Sequence, residues 1–453
     1  MNTSMQHTRR AATVPQATGW PVVGNLPGLL RQGLGYVAAQ QSQLGDLYRI
    51  KAGPQAMVLL NHPEHARHVL LNNADNYVKE GTFWSSVRSL IGLGLPTLEG
   101  ETWRVRRRMM NPQFHHTRLR ELGRAMVDTI ESHAASWPTD TPINAARCVS
   151  RITMAVIVRT MFGADLAADQ ADTVARAMSF SLDHMLQRVV TDALPSWIPV
   201  PGRRAHREAV EQIDQVLFSL IEQRRSQRAQ DDNLLTMLLE MRDDAGSGLD
   251  DQQLRDETMS LFIAGYETTA ASVSWGLARM AQQPELYAYV ADEVDAVLGG
   301  RLPTPDDLPQ LRKTTRFFFE TLRLDGPVFI LPRVAQHDDR IDGRPIPAGT
   351  VVSLMLDRIH RHPEAWDTPE VFDPDRFLDD RSQGRHPCAF IPFGAGRRQC
   401  IGKAFATMEG VFLLAMLVQR FRLAPAAGMR WDTQIGITRR PRDGIRLRLT
   451  ARR

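Results

Sequence analysis

Cysteine is almost absent from this chain: 453 residues contain three, Cys148, Cys388 and Cys400. They are too few and too scattered for a disulfide framework, and they lack the CxxC spacing of zinc or iron–sulfur sites. That usage fits a reducing cytosol. Long hydrophobic runs are missing too, so no transmembrane segment of about 18 apolar residues is expected. The N-terminal stretch is polar and then broken by Pro15, Pro21 and Pro27, which excludes a signal-peptide core. There is no internal repeat, no low-complexity tract and no acidic or basic tail. A net charge of only +4 does not by itself point to nucleic acid.

What is present is ordinary globular material, 43% hydrophobic and 23% charged, with enough apolar mass to bury a cofactor. Length alone allows two or three domains. After a Pro/Gly lead-in, "DLYRIKAG" and "QAMVLLN" read as a hairpin about Gly53-Pro54, giving a β-rich part over roughly 40–62. Helical periodicity dominates 63–326, and a mixed part with short strands fills 327–453. The segments 79–100 and 194–209, rich in glycine and proline, read as loose lids or channel walls. The expected class is mainly α with small β-sheets.

The stretch "FGAGRRQCIG" (393–402) places Cys400 at the mouth of a long apolar helix. A cysteine ligates metal as thiolate, and the free N–H groups and dipole of a helix start favour that anion. Gly394, Gly396 and Gly402 let the backbone approach closely, Phe393 can shield the sulfur, and Arg398 can reach an anionic edge of a ligand. A single thiolate on an open metal face suits haem iron. Five positions of the pattern F-x-x-G-x-R-x-C-x-G are fixed, a chance match on the order of one in several thousand.

This stretch resembles the haem-binding loop of the cytochrome P450 haem-thiolate monooxygenases, soluble bacterial type. The resemblance implies that family's fold as one catalytic domain over 1–453, with haem b (iron protoporphyrin IX) between a long central helix and the cysteine-loop helix. Four further stretches carry it, in the family's order.

"AGYETT" (264–269) lies in a periodic run from about Leu249 to Gln283, long enough to cross the protein. Ala264 and Gly265 remove bulk so that a flat group can lie there, and Thr268 follows on the face of Ala264. Its hydroxyl would bind dioxygen and pass protons that Glu267 helps supply. "ETLR" sets Glu320 and Arg323 three apart; the resemblance makes them a buried pair joined by Arg376 of "PDRF", a structural triad holding the haem loop. "WRVRR" puts Trp103 and Arg107 on one helical face, implied to bind haem propionates together with Arg398 and with Arg333 of "LPRVA". The neighbours Arg104, Arg106 and Arg108, with Arg118, Arg120, Arg397 and Lys403, read as a solvated basic face for an acidic electron donor. In "HRHPEAWDTPEVFDPDRF" (360–377), His360 and His362 read as structural. One departure from the family pattern, Asp325-Gly326 after the Glu-x-x-Arg helix, is expected to make a looser, more acidic turn.

The implied activity is insertion of one atom of dioxygen into an apolar organic substrate. Its pocket, by resemblance, is walled by Leu95, Ser260, Ile263, Ala264, Val328, Phe329, Ile330 and Ile437. These side chains favour a terpenoid or other natural product of secondary metabolism. A fatty-acid hydroxylase anchored through Arg88, Arg203 or Arg204, a peroxygenase or non-redox haem-thiolate enzyme, and a haem-binding sensor stand as alternatives. The chain ends about fifty residues past Cys400, so electrons are expected from a separate ferredoxin or flavodoxin with its reductase. A cytoplasmic monomer, without nucleic acid or membrane anchor, completes the expectation.

Overall fold

The computed structural model describes residues 13–163, 168–191, 201–226, 233–242 and 246–452. The chain forms two compact units. One comprises Met1–Gly81, Ile330–Asp367 and His386–Arg398; the other Thr82–Phe329, Thr368–Arg385 and Gln399–Arg453.

The first unit is built on a five-stranded sheet. Leu47–Ala52 and Gln55–Leu60 pair antiparallel, Leu47 opposite Leu60, about a turn in which Gly53 takes φ +61. Gln55–Leu60 runs parallel to Val351–Leu354, which pairs with Leu331–Ala335 and then Tyr77–Val78. Tyr48, Ile50, Leu59 and Met355 form the core with Ala17 and Val37, and the Tyr48 hydroxyl donates to Val37 O at 2.8 Å. The lead-in is not irregular before these strands. It forms two helices, Leu26–Gln32 and Leu34–Leu44, separated by Gly33 at φ +53. Short helices of mixed composition carry little periodic signal, which is why the sequence pattern missed them.

The second unit is helical around Asp251–Gln282, 32 residues long and about 48 Å end to end. Asp250 and Gln253 close its start with a reciprocal capping box. Small residues seat its neighbours. A side chain on Gly276 would press on Phe317 at 3.2 Å and Leu414 at 3.3 Å. One on Gly410, in the helix Lys403–Arg420, would fall 2.5 Å from the Phe318 ring.

Segment 79–100 departs from the loose lid expected. Gly81–Ile91 is a helix burying Trp84, Val87, Leu90 and Ile91; Gly92 and Gly94, which suggested looseness, lie beyond its end. Of the other expected lid, 194–200 lies outside the described residues, and a helix, Arg203–Ser226, holds the remainder.

Glu320 and Arg323 are fully buried, with bonds of 2.7 and 2.8 Å, and Arg376 comes within 3.4 Å of the same carboxylate. The guanidiniums take carbonyls of Thr368, Pro369 and Val371, and Glu320 accepts Asp373 N–H at 2.9 Å. In the second unit the triad therefore ties down 368–376. The Asp325-Gly326 turn is firm rather than loose. Asp325 makes a two-point pair with Arg279 at 2.9 and 3.2 Å, and Arg439 donates to the carbonyls of Leu324 and Gly326. Replacing Glu320 by Gln should destabilise the fold by about 3–5 kcal/mol, because two buried guanidiniums lose their counter-charge. Urea unfolding would measure this, and a loss under about 1 kcal/mol would mean the carbonyls alone satisfy both arginines.

Candidate active site

The three cysteines separate by environment. Cys388 is buried and Cys148 half-buried, and burial pushes both thiols up; Cys400 is exposed. Cys400 stands just before the helix Lys403–Arg420, whose N-cap Gly402 offers no side-chain acceptor. The first-turn N–H groups and the dipole are thus left to favour an anion nearby. A Cβ on Gly402 would sit 3.9 Å from the sulfur, so glycine there leaves the thiol uncovered.

Arg107 donates from Nη1 to Gln399 O at 2.8 Å, next to Cys400. Burial draws the guanidinium's pKa down and the Cys400 sulfur draws it back up. Trp103, one turn earlier in the helix Gly100–Met110, is buried.

The long helix Asp251–Gln282 is buried along most of its length, yet Ala264 at its middle is exposed, flanked by half-exposed Ile263 and Thr268. An exposed alanine inside a core helix marks a face bare of protein atoms, one that a flat apolar group fits. Gly265 does not share that face: its Cβ would fall 2.5 Å from Ile157 Cδ1, so its role is packing, not making room for a ligand. The Thr268 hydroxyl donates to Ala264 O at 2.6 Å and keeps its lone pairs as acceptors. Glu267, buried, accepts from Thr438 Oγ1 at 3.1 Å and Arg440 Nη1 at 3.4 Å; Arg440 also pairs with Asp183.

In the first unit, Gly394 and Gly396 both lie at positive φ, +70 and +67, and a Cβ on Gly396 would meet Leu70 O at 2.5 Å. Phe393 and Arg398 are half-buried. Arg333 is buried and donates to Pro332 O at 2.8 Å. His360 Nε2 accepts Ile391 N–H at 3.0 Å, a structural bond. His62, His362 and Glu364 place ligand-type atoms within 4.8 Å of one another. Each histidine, however, accepts a backbone N–H at Nδ1, from Glu64 and Glu364 respectively. That fixes the ring proton on Nε2, which faces Glu364 in one and Asp46 in the other; a protonated nitrogen is no metal ligand.

Of the proposed pocket wall, Leu95, Ser260 and Phe329 are buried, while Ile263, Val328 and Ile437 are half-buried. Arg439 N–H donates to Pro327 O at 2.8 Å, bringing the strand after Ile437 beside Val328. Ile330 packs instead against the first unit's core of Tyr48 and Met355. The basic face is also thinner than the sequence suggested. Arg106 is buried and pairs with Glu257 at 2.7 Å, because position 106 turns inward with Trp103 and Met110. Arg104 pairs with Glu101, Arg118 with Glu121, Arg120 with Asp306 and, in the first unit, Arg397 with Asp75.

The family model for cytochrome P450 matches residues 14–445. The chain belongs to the cytochrome P450 family. It is 33% identical over 449 residues to the pentalenene oxygenase of Streptomyces avermitilis, with 99% of each chain covered. It is 32% identical to cyclooctat-9-en-7-ol 5-monooxygenase of Streptomyces melanosporofaciens, over 90% of this chain and 89% of that one. The crystal structure of the cytochrome P450DA heme domain shares the fold at a TM-score of 0.89, with 24% identity and 98% of each chain covered. This cytochrome P450 is thus a haem-dependent monooxygenase that uses dioxygen, an organic substrate and an electron donor. No helix among the described residues is long and apolar enough to cross a membrane.

Sequence reasoning passed over one conspicuous group of this P450. Glu409, nine residues after Cys400, is fully buried, with the Thr269 side chain beside its carboxyl. A lone charge inside "ATMEGVFLLAML" was the available signal. Burial raises its pKa to about 8, with nearby Thr269 drawing it partly back. The native state therefore holds a proton that the unfolded chain, titrating near 4.5, releases. Stability from this group is full below that lower value and is lost as pH rises toward about 8, at up to ~1.4 kcal/mol per pH unit. Glu409→Gln should flatten that decline in urea midpoints measured across the window. An unchanged slope would put the titrating group elsewhere.

Proposed function

We propose that this P450 hydroxylates, or oxidises further, a terpenoid or other apolar natural product of secondary metabolism, at a haem b held by Cys400. The observation that carries the reading is the bare turn at Ala264 and Thr268 on an otherwise buried helix, together with the exposed thiol of Cys400. Two of the relatives are named for oxygenation of pentalenene and of cyclooctat-9-en-7-ol, which supports the substrate class.

Cys400 would hold the iron as thiolate, Trp103 and Arg107 would meet the cofactor's carboxylates, and Gly402 and Ala264 would border it. When bound, haem supplies the redox chemistry, two electrons and two protons turning one oxygen atom to water while the other enters a C–H bond. The chain's own work is placement and proton handling. Thr268 would take a proton at Oγ1 from a water and pass on its own hydroxyl proton, the one now directed at Ala264 O. Glu267, held by Thr438 and Arg440, would help supply protons by taking them up from water and handing them on through water. The apolar wall of Leu95, Ile263, Val328, Phe329 and Ile437, with the small Ser260, orients the substrate by shape.

A carboxylate-anchored fatty acid is less well served. Of its three candidate anchors, Arg204 is already paired with Glu208 at 2.7 Å, Arg88 donates to Thr97 O at 3.3 Å, and Arg203 is exposed at the start of the helix Arg203–Ser226. The same reading makes the protein a cytoplasmic monomer of one catalytic domain. Its electron donor is a ferredoxin or flavodoxin with its reductase, met by exposed cations such as Arg108 and Lys403.

Cys400→Ser should abolish the reduced-CO absorption band that marks thiolate ligation, whereas Thr268→Ala should keep it and divert electrons to peroxide. A retained band in the first, or unchanged coupling in the second, removes that residue from its role. For the substrate, the ferric protein should shift from low to high spin with a terpene hydrocarbon and not with a long-chain fatty acid. The reverse result would replace the terpenoid reading by the fatty-acid one.

A further inference from the structure

Two neighbouring acids on the central helix, Asp256 and Glu257, are 4% and 0% exposed. Side chains one residue apart on a helix diverge by about 100°, yet both reach the backbone of a single turn. Asp256 Oδ2 accepts Leu93 N–H at 2.7 Å and Glu257 Oε2 accepts Leu95 N–H at 3.0 Å. Two glycines permit this. A Cβ on Gly92, at φ +68, would fall 2.1 Å from the Asp256 carboxylate. One on Gly94 would fall 2.1 Å from Ser260 Oγ and 2.7 Å from Asp256 O. Thr97 closes the turn, donating from Oγ1 to Gly92 O at 2.7 Å. The backbone therefore lies directly on the helix, one turn before the bare Ala264.

The acids are in turn held from two sides. Arg106 meets Glu257 at 2.7 Å, and Arg255 meets Asp256 at 3.0 Å and Asp214, on the helix Arg203–Ser226, at 2.6 Å. Gln252 adds a bond to Asp256 at 2.8 Å. Apolar side chains would pack this space at least as favourably, since burying ion pairs seldom adds net stability. What the charges provide is a hold on main-chain N–H groups, which fixes the turn whatever side chains it carries. Leu95 is thereby buried while Leu93 stays 55% exposed.

We propose that Asp256 and Glu257, braced by Arg255 and Arg106, are positioning residues that limit the size of substrate this enzyme admits. They do so by clamping the turn 92–95 over the pocket beside Ala264. The clamp makes that wall a fixed one, so bulk is refused there instead of being accommodated by a swinging loop. The proposal rests on the reading that this turn borders the haem pocket, but not on the substrate being a terpenoid.

The test uses haem ligands rather than substrates, so that it does not depend on substrate class. Imidazole and a bulky aryl-substituted imidazole are titrated into the haem-loaded wild type, Asp256→Asn and Gly94→Ala, following the Soret shift. Asp256→Asn weakens the grip; Gly94→Ala leaves every charge in place and lifts the turn by its Cβ. In both, affinity for the bulky azole should rise at least about fivefold relative to imidazole, with the reduced-CO band intact. Ratios within about twofold of wild type in both variants, even with lowered melting temperatures, would overturn the proposal and leave the network a merely structural one. If the ratios move but no terpene perturbs the wild-type spectrum, the clamp stands and the terpenoid reading falls.

Discussion

A helix enclosed on every side must match each neighbour in shape, and it can serve a ligand only where that enclosure is interrupted. Asp251–Gln282 lives under this constraint. Gly265 receives Ile157, and Gly276 lies against Phe317 and Leu414, so small residues recur where a neighbour presses close. At Ala264 the enclosure stops, and the exposed alanine, the half-exposed Ile263 and the Thr268 hydroxyl bonded to the alanine's carbonyl are what the helix offers there. Each fully buried leucine or phenylalanine holding the helix in register contributes on the order of 1.5–3 kcal/mol. The position of that one turn is therefore set by the whole second unit.

Buried charge in this protein divides into two kinds. Glu320 with Arg323, Glu257 with Arg106 and Asp256 with Arg255 are matched pairs, half-buried Asp325 with Arg279 joins them, and each also involves or adjoins main-chain hydrogen bonds. None of these pairs is a strong argument for stability, since desolvation offsets most of the attraction. Their common effect is to fix irregular backbone: 368–376, the turn after Ile91, and the turn at Gly326. Glu409 is the other kind, a carboxyl with no counter-charge, which burial keeps protonated near neutral pH.

Much of the architecture was legible because periodicity and cysteine context are local properties. The hairpin at 47–60, the helix after Cys400 and the extent of the central helix all follow from runs of ten or more residues. What failed had non-local causes. Arg106 looked like one more surface cation in "WRVRR", and only the presence of Glu257, 151 residues away, makes it a core residue. Gly265 looked like part of a ligand cradle until Ile157 was found against it. Asp325-Gly326 read as slack because the arginines that tighten it, at 279 and 439, stand far off in sequence. Gly92 and Gly94 likewise suggested freedom, where they in fact permit contact.

The first unit is assembled from three separated stretches of chain. Gln55–Leu60 finds its parallel partner only at Val351–Leu354. On a ribosome, at about 5–20 residues per second, roughly 300 residues and some 15–60 s separate the two strands. Through that interval the hairpin has an unpaired edge and an incomplete core lacking Met355. Such an exposed edge is an open invitation to pair with another nascent chain. A chain cut short before Val351–Leu354 would lack the central strand of the amino-terminal sheet and would keep the hairpin's edge open for good.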